Sequence, residues 1–167
     1  KAHSLAHVSL FQDLAPDARA TIEQFCHWKT FEAKEVIVHY ADDTRDVCIL
    51  VSGRARVMIY AASGRVVSLR DIGPGQFFGE YSAIDGKPRS ASVEALQACV
   101  VGMMSATHFT AILEKHPVAA LAFLRQAIAQ IRELTTRVFE FSTLAVGNRI
   151  QAELLRLATG GGEASAM

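Results

Sequence analysis

The chain has 167 residues, with 17 lysines and arginines against 17 aspartates and glutamates, so its formal net charge is zero. Half of the residues are hydrophobic and a fifth are charged, which excludes a disordered chain and argues against a main nucleic-acid-binding surface, which would be basic. No apolar run approaches the roughly 18 residues of a membrane-spanning helix, and three widely spaced cysteines (Cys26, Cys48, Cys99) predict reduced thiols, a cytoplasmic setting and no metal.

The chain starts at Lys1 and closes on residues 160–167, a run without packing residues; both ends are expected to be cuts in something longer. Residues 10 to about 28 read as helical. Pro16 and Asp17 suit a first turn, and Ala20, Ile22 and Phe25 share a face. From about residue 31 to 104 the period changes to that of short strands. Val36, Val38 and Tyr40 alternate, as do Val47, Ile49 and Val51, and then Ala55, Val57 and Ile59; Val67, Leu69, Val93 and the run 99–104 follow. Ser52-Gly53, Ser63-Gly64 and Gly73-Pro74-Gly75 supply turns between them. Strands about ten residues apart predict an all-β sandwich or barrel, with a jelly roll among the candidates.

Helix returns at Ser105, which suits an N-cap, and the short helix stops at His116-Pro117. The longest helical pattern follows. Leu121, Leu124, Ile128, Ile131, Thr135, Val138, Ser142 and Ala145 step by threes and fours, an a/d seam of about three and a half heptads. Such a seam exceeds what one small barrel covers, so the helix is expected to pair with a second copy of the chain. Gly147-Asn148 breaks it, and Ile150, Leu154, Leu155 and Leu157 mark a second short amphipathic helix, read as the first helix of a further domain.

The chemistry concentrates in residues 73–95. Tyr81-Ser82-Ala83-Ile84 can make one helical turn whose first N–H groups lack intrahelical partners and favour an anion. Arg89 adds a positive fork suited to phosphate oxygens, and Glu80 an acceptor suited to a sugar hydroxyl. Together they form the inventory a nucleotide monophosphate needs. Rival motifs fail on spacing: a phosphate-binding Gly-x-x-x-x-Gly-Lys-Ser/Thr loop would need Gly at 81 and Ser or Thr at 88, where the chain has Tyr81 and Pro88. Gly73-Pro74-Gly75 lacks the βαβ context of a dinucleotide site, and no nucleophile elbow or zinc-type His-Glu-x-x-His occurs. The six histidines are scattered and are read as structural or solvated.

The run Phe78-Gly79-Glu80-x-Ser82-Ala83-Ile84-x-Gly86-x-Pro88-Arg89-Ser90-Ala91 resembles the phosphate-binding cassette of cyclic nucleotide-binding domains. Residues 49–57 are similar to that fold's second and third strands. The helix from Val118 and the Asn148-Arg149-Ile150 helix resemble bacterial transcription regulators of the cAMP receptor protein and fumarate-nitrate regulator family. The resemblance implies a mainly β fold with flanking helices: a jelly roll (double-stranded β-helix) over 1–117, a long dimerisation helix over 118–146, and the start of a truncated DNA-binding domain over 147–167. It further implies that Glu80, with the Gly79 N–H, meets the ribose 2′-OH, and that Arg89 and Ser90 meet the cyclic phosphate. Ser82 and Ala83 would bring backbone N–H groups to it. Thr135 and Thr136 would reach the base, whereas Tyr81 and Ala83 stand where aliphatic residues are common and shape the pocket. Hydrogen bonds to charged groups contribute roughly 1.5–3 kcal/mol each, so loss of Arg89 implies at least about tenfold weaker binding.

The implied function is a cyclic-nucleotide sensor, with cAMP favoured and cGMP open. The implied partners are the nucleotide, a second copy through the long helix, and DNA only through a domain beyond residue 158. Two alternatives remain: a regulatory module of a channel or kinase, and a member of the family that senses another signal. An enzyme is not expected, since no general base, metal set or nucleophile is arranged near the cassette.

Overall fold

The computed structural model describes residues 4–60, 64–143, 154 and 155. The chain divides into two compact units, Lys1–Phe123 and Leu124–Met167.

The first unit opens with turns rather than helix. The N–H of Val8 donates to Leu5 O (3.0 Å), that of Phe11 to Val8 O (2.9 Å) and that of Leu14 to Phe11 O (3.1 Å). Leu5, Val8, Leu10, Phe11 and Leu14 are all buried by this winding. The expected helix over residues 10–28 is therefore corrected to α1 (Pro16–Glu23). Ala15 precedes a proline and is held extended, at φ −58° and ψ 145°, so helix cannot run through it. Of the expected apolar face only Ile22 is buried; Phe25 instead stacks on His108, ring centroids 4.3 Å apart. Trp28 belongs to a strand.

Among the described residues there are eight strands: β1 (His27–Phe31), β2 (Val36–Val38), β3 (Val47–Ser52), β4 (Ala55–Tyr60), β5 (Val66–Ile72), β6 (Phe77–Phe78), β7 (Ser92–Ala95) and β8 (Cys99–Met104). They form two four-stranded antiparallel sheets, in the orders β1-β8-β3-β6 and β2-β7-β4-β5. This is the jelly-roll arrangement of a mainly β fold, with helices at its flanks. Tyr40 lies beyond the end of β2 and is exposed.

Strand β3 shows what the sheets enclose. Its alternation sorts residues between two cores rather than between core and water. Val47 and Ile49 join Leu5, Ile22, Phe77 and Phe109 in the first. Cys48 and Leu50 join Phe31, Ile72, Phe78 and Val101 in the second. The two-residue β6 divides likewise, Phe77 to one side and Phe78 to the other. Before it the chain turns at Gly73-Pro74-Gly75. Gly75 has φ +82°, and a side chain there would run into the His7 carbonyl, so glycine is required.

After β6 comes α2 (Glu80–Asp85), and after β8 comes α3 (Ala106–Lys115). Ser105 caps α3 as expected, its Oγ accepting from the His108 N–H at 3.3 Å. Pro117 then starts α4 (Pro117–Thr143). The root of α4 is fixed by aromatic packing: the Phe123 ring lies 6.1 Å from that of Phe77 and 5.8 Å from that of Phe109.

The described part of the second unit is the rest of α4 together with Leu154 and Leu155. Along α4 the seam residues Leu121, Leu124, Ile128, Ile131 and Val138 are 44–65% exposed in the single chain. Ala145 and the Asn148-Arg149-Ile150 segment lie outside the described residues. Within the second short helix read from the sequence, Leu154 and Leu155 are helical and exposed.

Candidate functional site

The site is built where β6 hands over to α2. Gly79 makes the joint in the left-handed region, at φ +84°, and a Cβ there would strike the Arg89 Nη1 and crowd the Asp46 carbonyl. Glycine at this position lets an arginine lie directly against the backbone. Glu80, the first residue of α2, and Ser82 are both buried. Six residues later α2 ends at Gly86, whose N–H donates to Ser82 O at 3.2 Å, and the chain returns to Arg89.

Arg89 is only 3% exposed. Its guanidinium is held on three sides: Nε donates to Thr44 Oγ1 (3.1 Å), Nη1 to Gly79 O (2.9 Å) and Nη2 to Asp46 O (2.8 Å). A guanidinium carries five N–H donors, so one N–H on each terminal nitrogen remains for an incoming oxygen. The buried fork is thereby brought against the Gly79–Glu80 joint.

Glu80 sits in a contest between burial and charge. Burial pushes its carboxyl above the usual carboxylate range. A bond from its own backbone N–H and the charges of Arg70 and Arg89 pull the other way, and burial wins. Arg70, on β5, also donates from Nη2 to Phe77 O at 3.4 Å, which ties it to the strand leading into the site. The sign for stability follows from the raised value. The folded chain holds the Glu80 proton to a higher pH than the unfolded chain, whose glutamates titrate near about 4.3. Stability is therefore lost as pH rises from that value through the folded one. Glu80→Gln is accordingly expected to melt above the unsubstituted chain at pH 7 and level with it near pH 4. Thermal melts at both pH values check this; a lower melting point for the variant at pH 7 would show that the arginine charges outweigh burial.

The remaining residues picked out in the sequence are placed as follows. Tyr81 is half-exposed beside Glu80, and burial pushes its hydroxyl upward. Ala83 packs on the first core. Ser90 is exposed, next to Arg89 and two residues before β7. Thr135 and Thr136 lie in the second unit on α4, both exposed. Each hydroxyl donates to the carbonyl four residues back, Ile131 O at 2.9 Å and Arg132 O at 3.1 Å. The helix itself thus takes up the donor of each hydroxyl. Thr44, Asp46 and Arg70 were not foreseen. Two of these three supply Arg89 with acceptors from more than forty residues away, one of them through a main-chain oxygen. Among the described residues no three His, Cys, Asp or Glu side chains gather as a metal site would require.

Residues 28–116 match the family model of the cyclic nucleotide-binding domain. The chain belongs to the cyclic nucleotide-binding domain family. It is 26% identical over 134 residues to the cAMP-activated global transcriptional regulator CRP of Haemophilus influenzae, covering 80% of this chain and 60% of that one. The chain thus spans less than two thirds of that relative's length. Among solved structures, the catabolite activator protein of Thermus thermophilus superposes with a TM-score of 0.73 at 23% identity, over 80% of this chain and 63% of that one. The regulatory domain of Toxoplasma gondii PKA, solved with cAMP, superposes with a TM-score of 0.60 at 26% identity, over 74% of this chain and 45% of that one. The matched residues include the joint at which Arg89 reaches the Gly79 carbonyl.

Proposed function

We propose that this cyclic nucleotide-binding domain is the cAMP-sensing part of a dimeric transcription regulator. The observation that carries the proposal is the pairing of a buried guanidinium, keeping two N–H groups in reserve, with a buried carboxylate across the Gly79 joint. A cyclic phosphate offers oxygens to the first, and a ribose 2′-OH offers a proton to the second. Ser90 and the N–H groups of Ser82 and Ala83 would complete the phosphate shell, the Gly79 N–H would support the ribose, and Tyr81 would border the pocket. Thr135 and Thr136 retain hydroxyl lone pairs that can accept from the adenine amino group.

The preference for cAMP over cGMP rests on the relatives: the Haemophilus protein is named as cAMP-activated, and the Toxoplasma domain was solved with cAMP. The exposed seam of α4 suits a second copy of the chain, and DNA would be engaged by a domain beyond residue 158. On this proposal residues 1–117 form the sensor, 118–146 the dimerisation helix and 147–167 the start of the DNA-binding part. The ligand acts by binding one arrangement of that helix more tightly than another. Titration of the chain with cAMP and with cGMP by calorimetry tests the ligand. Saturable heat is expected for both, with cAMP the tighter; absence of saturable heat for either nucleotide would overturn the assignment.

A further inference from the structure

We infer that Thr44 is a positioning residue for nucleotide binding, acting through Arg89; the inference rests on the proposed role of that arginine. Residues 41–46 form a clasp around it. The Ala41 N–H donates to Arg89 O and the Arg89 N–H to Asp42 O, both at 2.9 Å, so the two backbones are laced together. The Asp42 carboxylate then accepts from the Thr44 N–H at 3.1 Å, which fixes the threonine. Its hydroxyl accepts from Arg89 Nε at 3.1 Å, and the clasp closes with Asp46 O on Nη2 at 2.8 Å.

Of the three groups that hold the guanidinium, Thr44 Oγ1 is the one that belongs to a side chain, and Nε is the nitrogen about which the planar fork would swing. With Nε engaged, the plane of the fork is set and the two remaining terminal N–H groups keep a fixed aim. Without the hydroxyl, Nε–H is a buried donor in search of an acceptor. It then competes for the carbonyls of Gly79 and Asp46, or for the phosphate itself, and the terminal N–H groups turn off line. Thr44 is exposed whereas Arg89 is buried, so the threonine can be changed without opening the core.

The test compares the unsubstituted chain with Thr44→Val, which keeps the shape and removes the hydroxyl, and Thr44→Ser, which keeps the hydroxyl. Calorimetric titration with cAMP is expected to show affinity about five- to tenfold lower for Thr44→Val and within about twofold of the original for Thr44→Ser. Equal affinity in Thr44→Val, or a Thr44→Ser variant as weak as Thr44→Val, would overturn the positioning role. Failure of the unsubstituted chain to bind either cAMP or cGMP would instead overturn the reading of the site itself.

Discussion

Arg89→Ala is expected to abolish measurable binding of cAMP, the proposed ligand, and, separately, to destabilise the ligand-free chain by about 1–3 kcal/mol. The first effect follows from loss of the guanidinium held at the Gly79 joint, with its two reserved N–H groups. The second follows from the three acceptors it serves without ligand. Thr44 Oγ1, Gly79 O and Asp46 O would lose their donor together; exposed Thr44 can turn to water, whereas a main-chain oxygen left without a partner costs about 1–3 kcal/mol. Arg89→Lys separates the two effects. It keeps the charge, but a single ammonium cannot reproduce a planar fork that binds three acceptors while two N–H groups face elsewhere. Urea unfolding without nucleotide should rank the original chain, Lys and Ala in falling order, and calorimetry should place Lys between the other two in affinity. An Ala variant as stable as the original would mean that water replaces the arginine at no cost, and the account of a ligand group that also braces the empty site would fail.

For the proposed pairing along α4, Ile131→Glu and Leu124→Glu are expected to raise the dimer dissociation constant at least about a thousandfold. Their side chains are 63% and 52% exposed in the single chain, so substitution leaves the fold of that chain intact. Burying each against a partner would contribute about 1.5–3 kcal/mol, and two-fold symmetry counts every change twice. A carboxylate at the centre of a helix pair adds the cost of stripping its water. Sedimentation velocity at micromolar concentrations should show a two-chain species for the original and a single-chain species for either variant. A single-chain species for the original at tens of micromolar would remove the support for pairing along α4.

The cassette was legible in the sequence because it is contiguous: glycine, glutamate and arginine lie within one short stretch, and their chemical types say what they can hold. The strands were legible through alternation, but their setting was not. In β3 alternation suggests one wet face, whereas Cys48 and Leu50 enter a second core, since a strand sandwiched on both sides has no polar face to show. β6 is too short to display any period. The N-terminal turns misled for a related reason: apolar residues three apart wind around a core much as those of an amphipathic helix do, and only the extended Ala15 betrays the break. The clasp around Arg89 was not legible, because a backbone carbonyl accepts alike in every residue. Thr44 and Asp46 lie 45 and 43 positions away from the arginine they hold. The seam of α4 could be read as a pattern, and its exposure in the single chain is what the coordinates add.

The rings of Phe77, Phe109 and Phe123 form a keystone. Phe77 stands three residues before Glu80, and Phe123 stands near the start of α4, so one knot of side chains holds the strand that leads to Glu80 against the first turns of that helix. Close-packed rings do not yield separately. A substitution at any one of the three rings is therefore felt by the other two.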